Sequence, residues 1–375
     1  MHAPRIMIIA GEASGDMHGA KLAQALRRRC GDVELFGVCS NAMKEQGVRQ
    51  LVDAKTLSVV GITEVFAKLP VIYRAMKTIK QTLRDMAPDL LILIDFPDLN
   101  FRVAEYAKKI GIPILYYISP QIWAWRQGRV RTLKRLVDHM AVILPFEAMF
   151  YRRHKVPVTF VGHPLLDRIP MIADPQAVGD IDGPPVIGLL PGSRQKEVAT
   201  LLPVMLEAAA LIRKKRPETR FLVSCSQSVD RDLVSAVSDP YMKALNLTIV
   251  PGPVDRVFEQ SRLLLAASGT VTLEAALHGI PTVIIYKVSP LSYAIGKRLI
   301  KVKYIGIANL IAGKQLQPEL IQEDASPENI ARTVRSMIDD PALLQRMSDD
   351  LLDVRKRLGK PGASDRLASI ALSLV

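Results

Sequence analysis

The sequence predicts an α/β protein made of two halves, and three observations support that prediction. Short apolar segments alternate with amphipathic segments along the chain, which is typical of parallel strands joined by helices. Turns of small or polar residues follow several apolar segments, where open α/β sheets bind ligands. The alternation breaks between residues 162 and 185, a stretch rich in proline, so we expect a linker there. We expect domains at residues 1–165 and 166–359, and a C-terminal helix at about 360–375 that is a candidate to pack back on the first domain.

Composition limits the partners and the compartment. The 375 residues carry 50 Lys and Arg against 37 Asp and Glu, a net charge of +13, which favours nucleic acid, phosphorylated substrates or an anionic membrane as partners. Three cysteines without metal-ligand spacing argue against a disulfide framework and favour a reduced, cytosolic compartment. No signal peptide is evident, and no apolar run free of charges could span a bilayer, so we expect any membrane contact to be peripheral.

The first half begins with a strand at Arg5–Ala10, a turn at residues 11–16 and a helix to about Arg29, which opens a Rossmann-like unit. The turn reads GEASGD and lacks both the glycines of the dinucleotide fingerprint and the Gly-Lys of a P-loop. Its two carboxylates would repel a pyrophosphate, so we expect the turn to face a second substrate. The alternative is a plain tight turn with Ser14 or Asp16 as the helix N-cap.

An apolar and basic segment follows at residues 62–86. It predicts a helix, or two helices broken at Pro70, with lysines and arginines interleaved among apolar residues. Such a segment can lie in a membrane interface, although an ordinary amphipathic helix has the same pattern. A second basic stretch without acids lies at residues 297–303. The residues expected to contact the membrane are Val65, Phe66, Leu69 and Ile72.

Two further turns of the first half carry reactive or ligand-binding side chains. The strand Leu90–Ile94 ends in DFPDLN, where a carboxylate could act as a general base or Asp98 could simply cap the helix that follows. The strand Ile114–Ile118 ends in SPQIWAWR, which holds both tryptophans of the chain beside an arginine. Aromatic faces and arginine suit sugar rings and phosphates, but at least one tryptophan could be a core residue.

The second half contains two turns suited to a diphosphate. The strand Val186–Leu190 is followed by PGSRQKE, in which Ser193 is the expected N-cap and Arg194 adds positive charge to a helix N-terminus. A later strand ends at Ala266, and SGT then opens a helix that should stop at Gly279. Glu274, one turn into that helix, could accept hydrogen bonds from ribose hydroxyls. The alternatives are a plain βα turn and an acid that merely favours the helix N-terminus.

Two Rossmann-like domains facing across a cleft, with the diphosphate turns in the second, form the GT-B plan of glycosyltransferases. Over nearly the whole chain the motifs resemble the lipid-A-disaccharide synthase family, and the AGEASGD and SPxxWAWR blocks are specific to it. The matching blocks are AGEASGD (10–16), IDFPDLN (94–100), SPQIWAWRQGRV (119–130), LPFE (144–147), GHP (162–164), LPGSR (190–194), ASGTVTLE (267–274) and NLIAGK (309–314).

The resemblance implies a reaction in lipid A biosynthesis. UDP-2,3-diacylglucosamine donates its sugar to 2,3-diacylglucosamine 1-phosphate with inversion, giving the β-1,6-linked disaccharide 1-phosphate and UDP. It implies no metal, no cofactor and no nucleic acid, and it is compatible with a homodimer on the inner face of the cytoplasmic membrane. The expected acceptor-side residues are Glu12, Ser14, Asp16, His18, Asp95, Asn100, Trp123, Trp125 and Arg126. The expected donor-side residues are Arg194, Ser268, Gly269, Thr270, Glu274, Asn309, Gln322 and Glu323, the last three by resemblance.

The general base should lie in the first half, because the donor turns occupy the second. Carboxylates at a helix N-terminus are weak bases, and Asp95 directly follows its strand, so we expect Asp95 to be buried and structural. Asp98 lies further along the turn, and the resemblance also points to it as the catalytic residue. Asp16 and His18 are the next candidates.

Two alternatives to this function remain at this point. One is another UDP-N-acetylglucosamine enzyme, either a peptidoglycan-type transferase or a 2-epimerase, against which the SPQIWAWR block argues. The other is a basic protein that binds nucleic acid without catalysis. The charge favours it, but aromatic residues are only 5% of the chain and no recognised nucleic-acid module is present.

Overall fold

The computed structural model describes residues 3–57, 62–169 and 183–375, and in the helix that begins at Ile62 it describes side chains from Pro70 onward. The chain divides into two compact units. The first unit is Met1–Arg168 together with Leu358–Val375, and the second is Ile169–Arg357. In the described part of the chain, no helix is long and apolar enough to cross a membrane.

The first unit is built on a parallel β-sheet. Its strands are β1 (Arg5–Ala10), β2 (Glu34–Cys39), β3 (Arg49–Asp53), β4 (Leu90–Ile94), β5 (Ile114–Tyr117), β6 (His139–Val142) and β7 (Val158–Phe160). Counted over the described residues, the sheet has seven strands in the order β3-β2-β1-β4-β5-β6-β7. Ile9 of β1 lies opposite Val38 of β2 and Leu93 of β4. The central strands are buried on both faces, which explains their continuous apolar sequences.

Helices cover both faces of this sheet. They are α1 (Ala13–Cys30), α2 (Asn41–Glu45), α3 (Ala54–Leu57), α4 (Ile62–Met86), α5 (Pro97–Lys109), α6 (Ile122–Trp125), α7 (Val130–Leu136), α8 (Pro145–Arg153) and the C-terminal helix (Ala363–Ser373). Alternate residues of β1 enter two hydrophobic clusters: Met7 joins the one that contains Ile79 of α4, and Ile8 joins the other. That second cluster contains Leu22 of α1 and Leu367 of the C-terminal helix, so the last helix completes the core of the first unit.

The second unit repeats the plan with a smaller parallel sheet. Its strands are β8 (Val186–Leu190), β9 (Arg220–Cys225), β10 (Leu247–Pro251), β11 (Leu263–Ala267), β12 (Thr282–Tyr286) and β13 (Glu319–Ile321), and over the described residues their order is β10-β9-β8-β11-β12-β13. Its helices are α9 (Gln195–Lys215), α10 (Arg231–Ser238), α11 (Met242–Leu245), α12 (Asp255–Phe258), α13 (Thr270–Leu277), α14 (Pro290–Leu299), α15 (Ile307–Ala312), α16 (Pro327–Ile338) and α17 (Pro341–Arg357). The C-terminal helix of the first unit is therefore α18.

Three helix starts differ from the sequence predictions. The N-cap residue of α1 is Glu12, so neither Ser14 nor Asp16 caps that helix. The N-cap position of α5 is Phe96, so Asp98 lies within the first turn and does not cap it. The N-cap position of α9 is Arg194, one residue after the expected Ser193. None of these three N-cap side chains makes a capping hydrogen bond.

Candidate active site

Each sheet has one position where the strand order reverses, and turns from two strands meet there. In the first unit the reversal lies between β1 and β4, so the turns after Ala10 and Ile94 are neighbours. In the second unit it lies between β8 and β11, so the turns after Leu190 and Ala267 are neighbours. Open α/β sheets bind ligands at such reversals, and these four turns are among those that the sequence singled out.

The turn after β4 has an unusual backbone conformation that hydrogen bonds from neighbouring side chains stabilise. Asp95 and Phe96 have positive φ angles of 46° and 47°, which L-residues seldom adopt. The carbonyl oxygen of Asp95 accepts hydrogen bonds from Tyr116 Oη at 2.7 Å and from Asn100 Nδ2 at 2.5 Å. The Phe96 ring lies on Gly11, where an added Cβ atom would be 2.2 Å from the ring. These contacts fix the direction in which the two aspartates of the turn point.

A cavity of about 550 Å³ opens beside this turn, entirely within the first unit. One wall is apolar and comes from α3 and α4, and the opposite wall comes from the turns after β1 and β4. Its lining residues are Glu12, Leu57, Ile72, Tyr73, Met76, Asp95, Phe96, Pro97, Asp98, Leu99 and Arg102. A molecule with both an apolar chain and a polar group that needs a carboxylate would match such a lining.

The two aspartates of the turn differ in their surroundings. Asp95 is half-buried, and burial together with the negative charge of Glu12 raises its pKa to about 6. The side chain of Asp98 is 92% exposed, and its Oδ1 atom lies 3.9 Å from Nη1 of Arg129. Asp98 therefore faces solvent at the rim of the cavity, whereas Asp95 is less exposed.

The turn after β1 contributes fewer reactive groups than the sequence suggested. Glu12 and Ser14 are exposed. Asp16 is buried, and its carboxylate accepts hydrogen bonds from the amides of Ser40 at 2.6 Å and Ala42 at 2.9 Å, so it anchors the turn after β2. Burial, with a smaller effect of the Lys21 charge, lowers the pKa of His18 to about 4, so His18 is a neutral and weak base.

The two tryptophans have different positions. Trp123 is buried, and its indole N–H donates to Oε1 of Glu147 at 3.0 Å. Glu147 is itself buried, and burial raises its pKa to about 8. Trp125 is 39% exposed, and the guanidinium of Arg126 stacks over its ring at 4.1 Å. Of the two tryptophans, Trp125, together with Arg126, is thus the one available to contact a sugar or a phosphate.

Two residues near the first site, Tyr116 and Arg102, gave no signal in the sequence analysis. Tyr116 donates a hydrogen bond to the backbone of the Asp95 turn. Asn100 was expected to contact the acceptor, but it is completely buried and instead bonds to the backbone of the same turn, so it positions the turn. Arg102 lines the cavity one helical turn after Asp98. The four-residue spacing of Asp98 and Arg102 on α5 was the available signal for that pair.

The second unit presents small residues and positive charge at its reversal. Gly192 has φ 119°, and an added Cβ atom there would lie 2.5 Å from the Glu197 carboxylate. Arg194 is exposed and pairs with Glu197 at 3.0 Å. Gly269 and Thr270, at the start of α13, are exposed and the first turn of that helix contains no acid. This arrangement can bind an anion through backbone N–H groups and one guanidinium.

The other donor-side residues fall into two groups. Glu274 and Ser268 are half-buried near the start of α13. Asn309 is fully buried, where its amide contacts Gln317 and Glu319 and accepts from the backbone of residues 316 and 317. The side-chain amide of Gln322 accepts a hydrogen bond from the backbone N–H of Val288 and donates one to its carbonyl oxygen. Glu323 is exposed. Asn309 and Gln322 therefore organise loops. In the described ranges no group of three or more His, Cys, Asp or Glu side chains could hold a metal ion.

Comparison with known proteins identifies relatives over the full length. Residues 6–372 match the family model described as Lipid-A-disaccharide synthetase. The lipid-A-disaccharide synthase of Geobacter sulfurreducens is 47% identical, covering 99% of this chain and 97% of the relative. That of Syntrophus aciditrophicus is 42% identical, with coverages of 100% and 99%.

Solved structures share the fold at low sequence identity. The UDP-GlcNAc 2-epimerase from Neisseria meningitidis bound to UDP-GlcNAc matches with a TM-score of 0.62 at 13% identity, covering 98% of this chain and 100% of that chain. The calicheamicin glycosyltransferase CalG4 matches with a TM-score of 0.61 at 15% identity, with coverages of 100% and 99%. The predicted α/β fold of the GT-B type is confirmed. Since epimerases and transferases share it, the fold alone does not distinguish the two activities.

Proposed function

This chain belongs to the lipid-A-disaccharide synthetase family, and we propose that it transfers the sugar of UDP-2,3-diacylglucosamine to the 6-hydroxyl of 2,3-diacylglucosamine 1-phosphate. The products are a β-1,6-linked disaccharide 1-phosphate and UDP. The observation that carries the proposal is the cavity of the first unit, in which apolar residues of α4 face the carboxylates of the β4 turn. An acylated sugar whose hydroxyl must lose a proton has both of the corresponding parts.

The donor is assigned to the second unit. Its diphosphate would lie at the starts of α9 and α13, where Arg194 and the small residues Ser268, Gly269 and Thr270 offer positive charge and backbone donors. The Glu274 carboxylate, one turn further along, would accept hydrogen bonds from the ribose. Charge on the leaving UDP is then stabilised by the protein alone.

Asp98 is assigned as the general base of a single displacement. The acceptor O6 attacks the anomeric carbon of the donor as its proton passes to the Asp98 carboxylate. The bond from that carbon to the diphosphate oxygen breaks on the opposite face, and UDP leaves with the electron pair. An exposed carboxylate at the rim of an apolar cavity suits this role, because the acyl chain can enter the cavity while the hydroxyl stays at the rim.

Reversible binding to an anionic membrane, at the inner face of the cytoplasmic membrane, is the second part of the proposal. The side chains of Val65, Phe66 and Leu69 lie outside the described residues, and Ile72 lines the cavity. Support comes from α14, on which Leu291 is 73% exposed and Ile295 and Leu299 are also exposed beside basic residues. Each basic side chain near an anionic surface contributes on the order of 1 kcal/mol, an attraction that salt screens.

Vesicle sedimentation tests the membrane part. We expect binding to phosphatidylglycerol vesicles to fall as salt rises and to fall in the variants Leu291→Ser/Ile295→Ser and Phe66→Ser/Leu69→Ser. Met149→Ser removes an exposed apolar side chain from α8 and is the control. If binding does not change with salt or in either double variant, α4 and α14 are excluded as membrane-binding segments.

Mass spectrometry of a reconstituted reaction tests the transfer itself. The purified protein is incubated with the two lipid substrates in detergent micelles, and disaccharide 1-phosphate and UDP should appear in equal amounts. Disappearance of the donor into an isomeric UDP-sugar without disaccharide would instead indicate an epimerase. Protection against thermal unfolding by UDP, without equal protection by RNA, would separate both activities from nucleic-acid binding.

A further inference from the structure

A second, more polar pocket adjoins the cavity of the first unit. It has a volume of about 330 Å³ and is lined by Asp98, Phe101, Arg102, Arg129 and Thr132. Asp98 and Arg102 line both the pocket and the apolar cavity, so the two spaces meet at these side chains. One amphipathic molecule could therefore occupy both, with its polar end in the smaller pocket.

Positive charge dominates the lining of this pocket. The guanidinium of Arg129 lies over the ring of Phe101, 5.4 Å from the ring centre, and 3.9 Å from Oδ1 of Asp98. Arg102 is exposed, and among the described residues no carboxylate lies within ion-pair distance of it. Two guanidinium groups and the Thr132 hydroxyl thus face a single carboxylate. Stacking on Phe101 also restrains Arg129, which reduces the entropy lost when it binds a ligand.

We propose that Arg102 and Arg129 bind the phosphate monoester of the lipid acceptor, next to the carboxylate of Asp98. This inference rests on the proposed transfer reaction. Planar guanidinium groups bind phosphate oxygens through paired, charge-assisted hydrogen bonds, and a dianion attracts them more strongly than one carboxylate does. The phosphate would draw Arg129 away from Asp98, and this leaves the Asp98 oxygen free to accept the proton of the sugar hydroxyl.

The position of the Arg102 and Arg129 pocket beside Asp98 favours the acceptor over a bulk phospholipid headgroup as its ligand. Another basic groove of the first unit, which includes Lys77, Lys80 and Arg84, is lined by no residue of the β4 turn. A headgroup bound there would not affect the reacting hydroxyl. The pocket of Arg102 and Arg129 shares Asp98 with the cavity, so a phosphate bound in it orients the sugar ring toward the base.

Steady-state kinetics in detergent micelles test the inference. The acceptor is supplied either as the 1-phosphate or with a free 1-hydroxyl, to the wild type and to Arg102→Gln and Arg129→Gln. We expect each substitution to raise KM for the phosphorylated acceptor about 10-fold or more, with little change in kcat or in KM for the UDP-sugar. With the acceptor that has a free 1-hydroxyl, the wild type and the variants should react equally poorly.

Arg135→Gln is the matched control, because Arg135 lies on α7, pairs with exposed Glu105 at 3.9 Å and does not line the pocket. Arg129→Lys keeps the charge and provides a second variant if Arg129→Gln is unstable. The inference would be overturned if the substitutions raised KM equally for both acceptors, or if the wild type used both acceptors equally well. Either result would leave the transfer reaction intact. Loss of binding to phosphatidylglycerol vesicles with unchanged acceptor kinetics would assign the pocket to a headgroup and also overturn it. A wild type that makes no disaccharide from either acceptor would refute the proposed function instead.

Discussion

The two units have the same sheet plan but different electrostatics at the point where the strand order reverses. In the first unit the neighbouring turns carry Glu12, Asp95 and Asp98, and an apolar cavity opens beside them. In the second unit the start of α9 carries Arg194 paired with Glu197, and the exposed start of α13 carries small residues and no acid. A fold that places ligands at the same geometric position in both units thus assigns them different chemistry through a few turn residues.

This difference suggests how the reaction is divided. Helix N-termini attract anions, and the start of α13, whose first turn contains no acid, leaves that attraction available to a diphosphate. The first unit places carboxylates at or just before its helix starts, which repels a diphosphate and favours a neutral hydroxyl that must be deprotonated. The two acidic side chains that are buried in the described residues, Asp16 and Glu147, also belong to the first unit.

The largest expected effect is on the acidic turn of the first unit. Asp98→Asn keeps the size of the side chain but cannot take a proton, so kcat for disaccharide formation should fall by about 10²- to 10⁴-fold. This kcat can be measured by quantifying the disaccharide at several time points by mass spectrometry. Asp95→Asn, three residues earlier in the chain, is the comparison and should have a smaller effect. If Asp98→Asn keeps near-normal turnover and Asp95→Asn does not, Asp95 is the base, since Asp16 is hydrogen-bonded by two amides and His18 is a weak base.

A smaller effect is expected in the second unit. Glu274→Ala removes the proposed ribose acceptor, so UDP should bind about 10-fold more weakly, by calorimetric titration. Glu259→Ala removes an exposed acid of the same unit and should leave UDP affinity unchanged. The melting temperature of each variant, measured without ligand, reports whether the fold is intact. Normal UDP affinity in an intact Glu274→Ala protein would contradict the ribose assignment.

The remaining effect concerns stability, and it belongs to the first unit. Burial raises the pKa of Glu147 to about 8, so the folded protein keeps a proton that the unfolded chain releases above about pH 4.5. The free energy of unfolding should therefore fall as pH rises from 5 to 8, by up to about 1.4 kcal/mol per pH unit from this group. Urea unfolding at several pH values should show a flatter pH dependence in Glu147→Gln. An unchanged slope would mean that Glu147 is ionised in the folded protein.

The sequence predicted the parts of the fold that depend on local pattern. Buried strands appear as continuous apolar runs, and Gly279 ends α13 with φ 68°, as expected for a glycine after a helix. The start of α5 was not predictable, because Asp95 and Phe96 adopt a left-handed backbone and the Asp95 carbonyl is held by Tyr116 of β5, which is distant in the sequence. Local sequence contains no information about such long-range support.

The site was predicted at the level of turns and less well at the level of side chains. Trp123 and Trp125 have the same sequence context, but Trp123 is buried by contacts with Phe146 and Glu147 of α8. Asn309 has the residue type of a binding side chain, but its amide is satisfied by residues of its own loop. Arg102 and Arg129 line one pocket because α5 packs beside the start of α7, and no local sequence pattern predicts that packing.

Calorimetric titration of UDP into the Asp98→Asn variant tests the division between the two units most directly. If the first unit supplies the base and the second binds the nucleotide, this variant should lose turnover and still bind UDP with a Kd within about 2-fold of the wild type, a difference below about 0.5 kcal/mol. A Kd that rises 10-fold or more in a variant with an unchanged melting temperature would contradict the account, because the acidic turn would then take part in binding the donor.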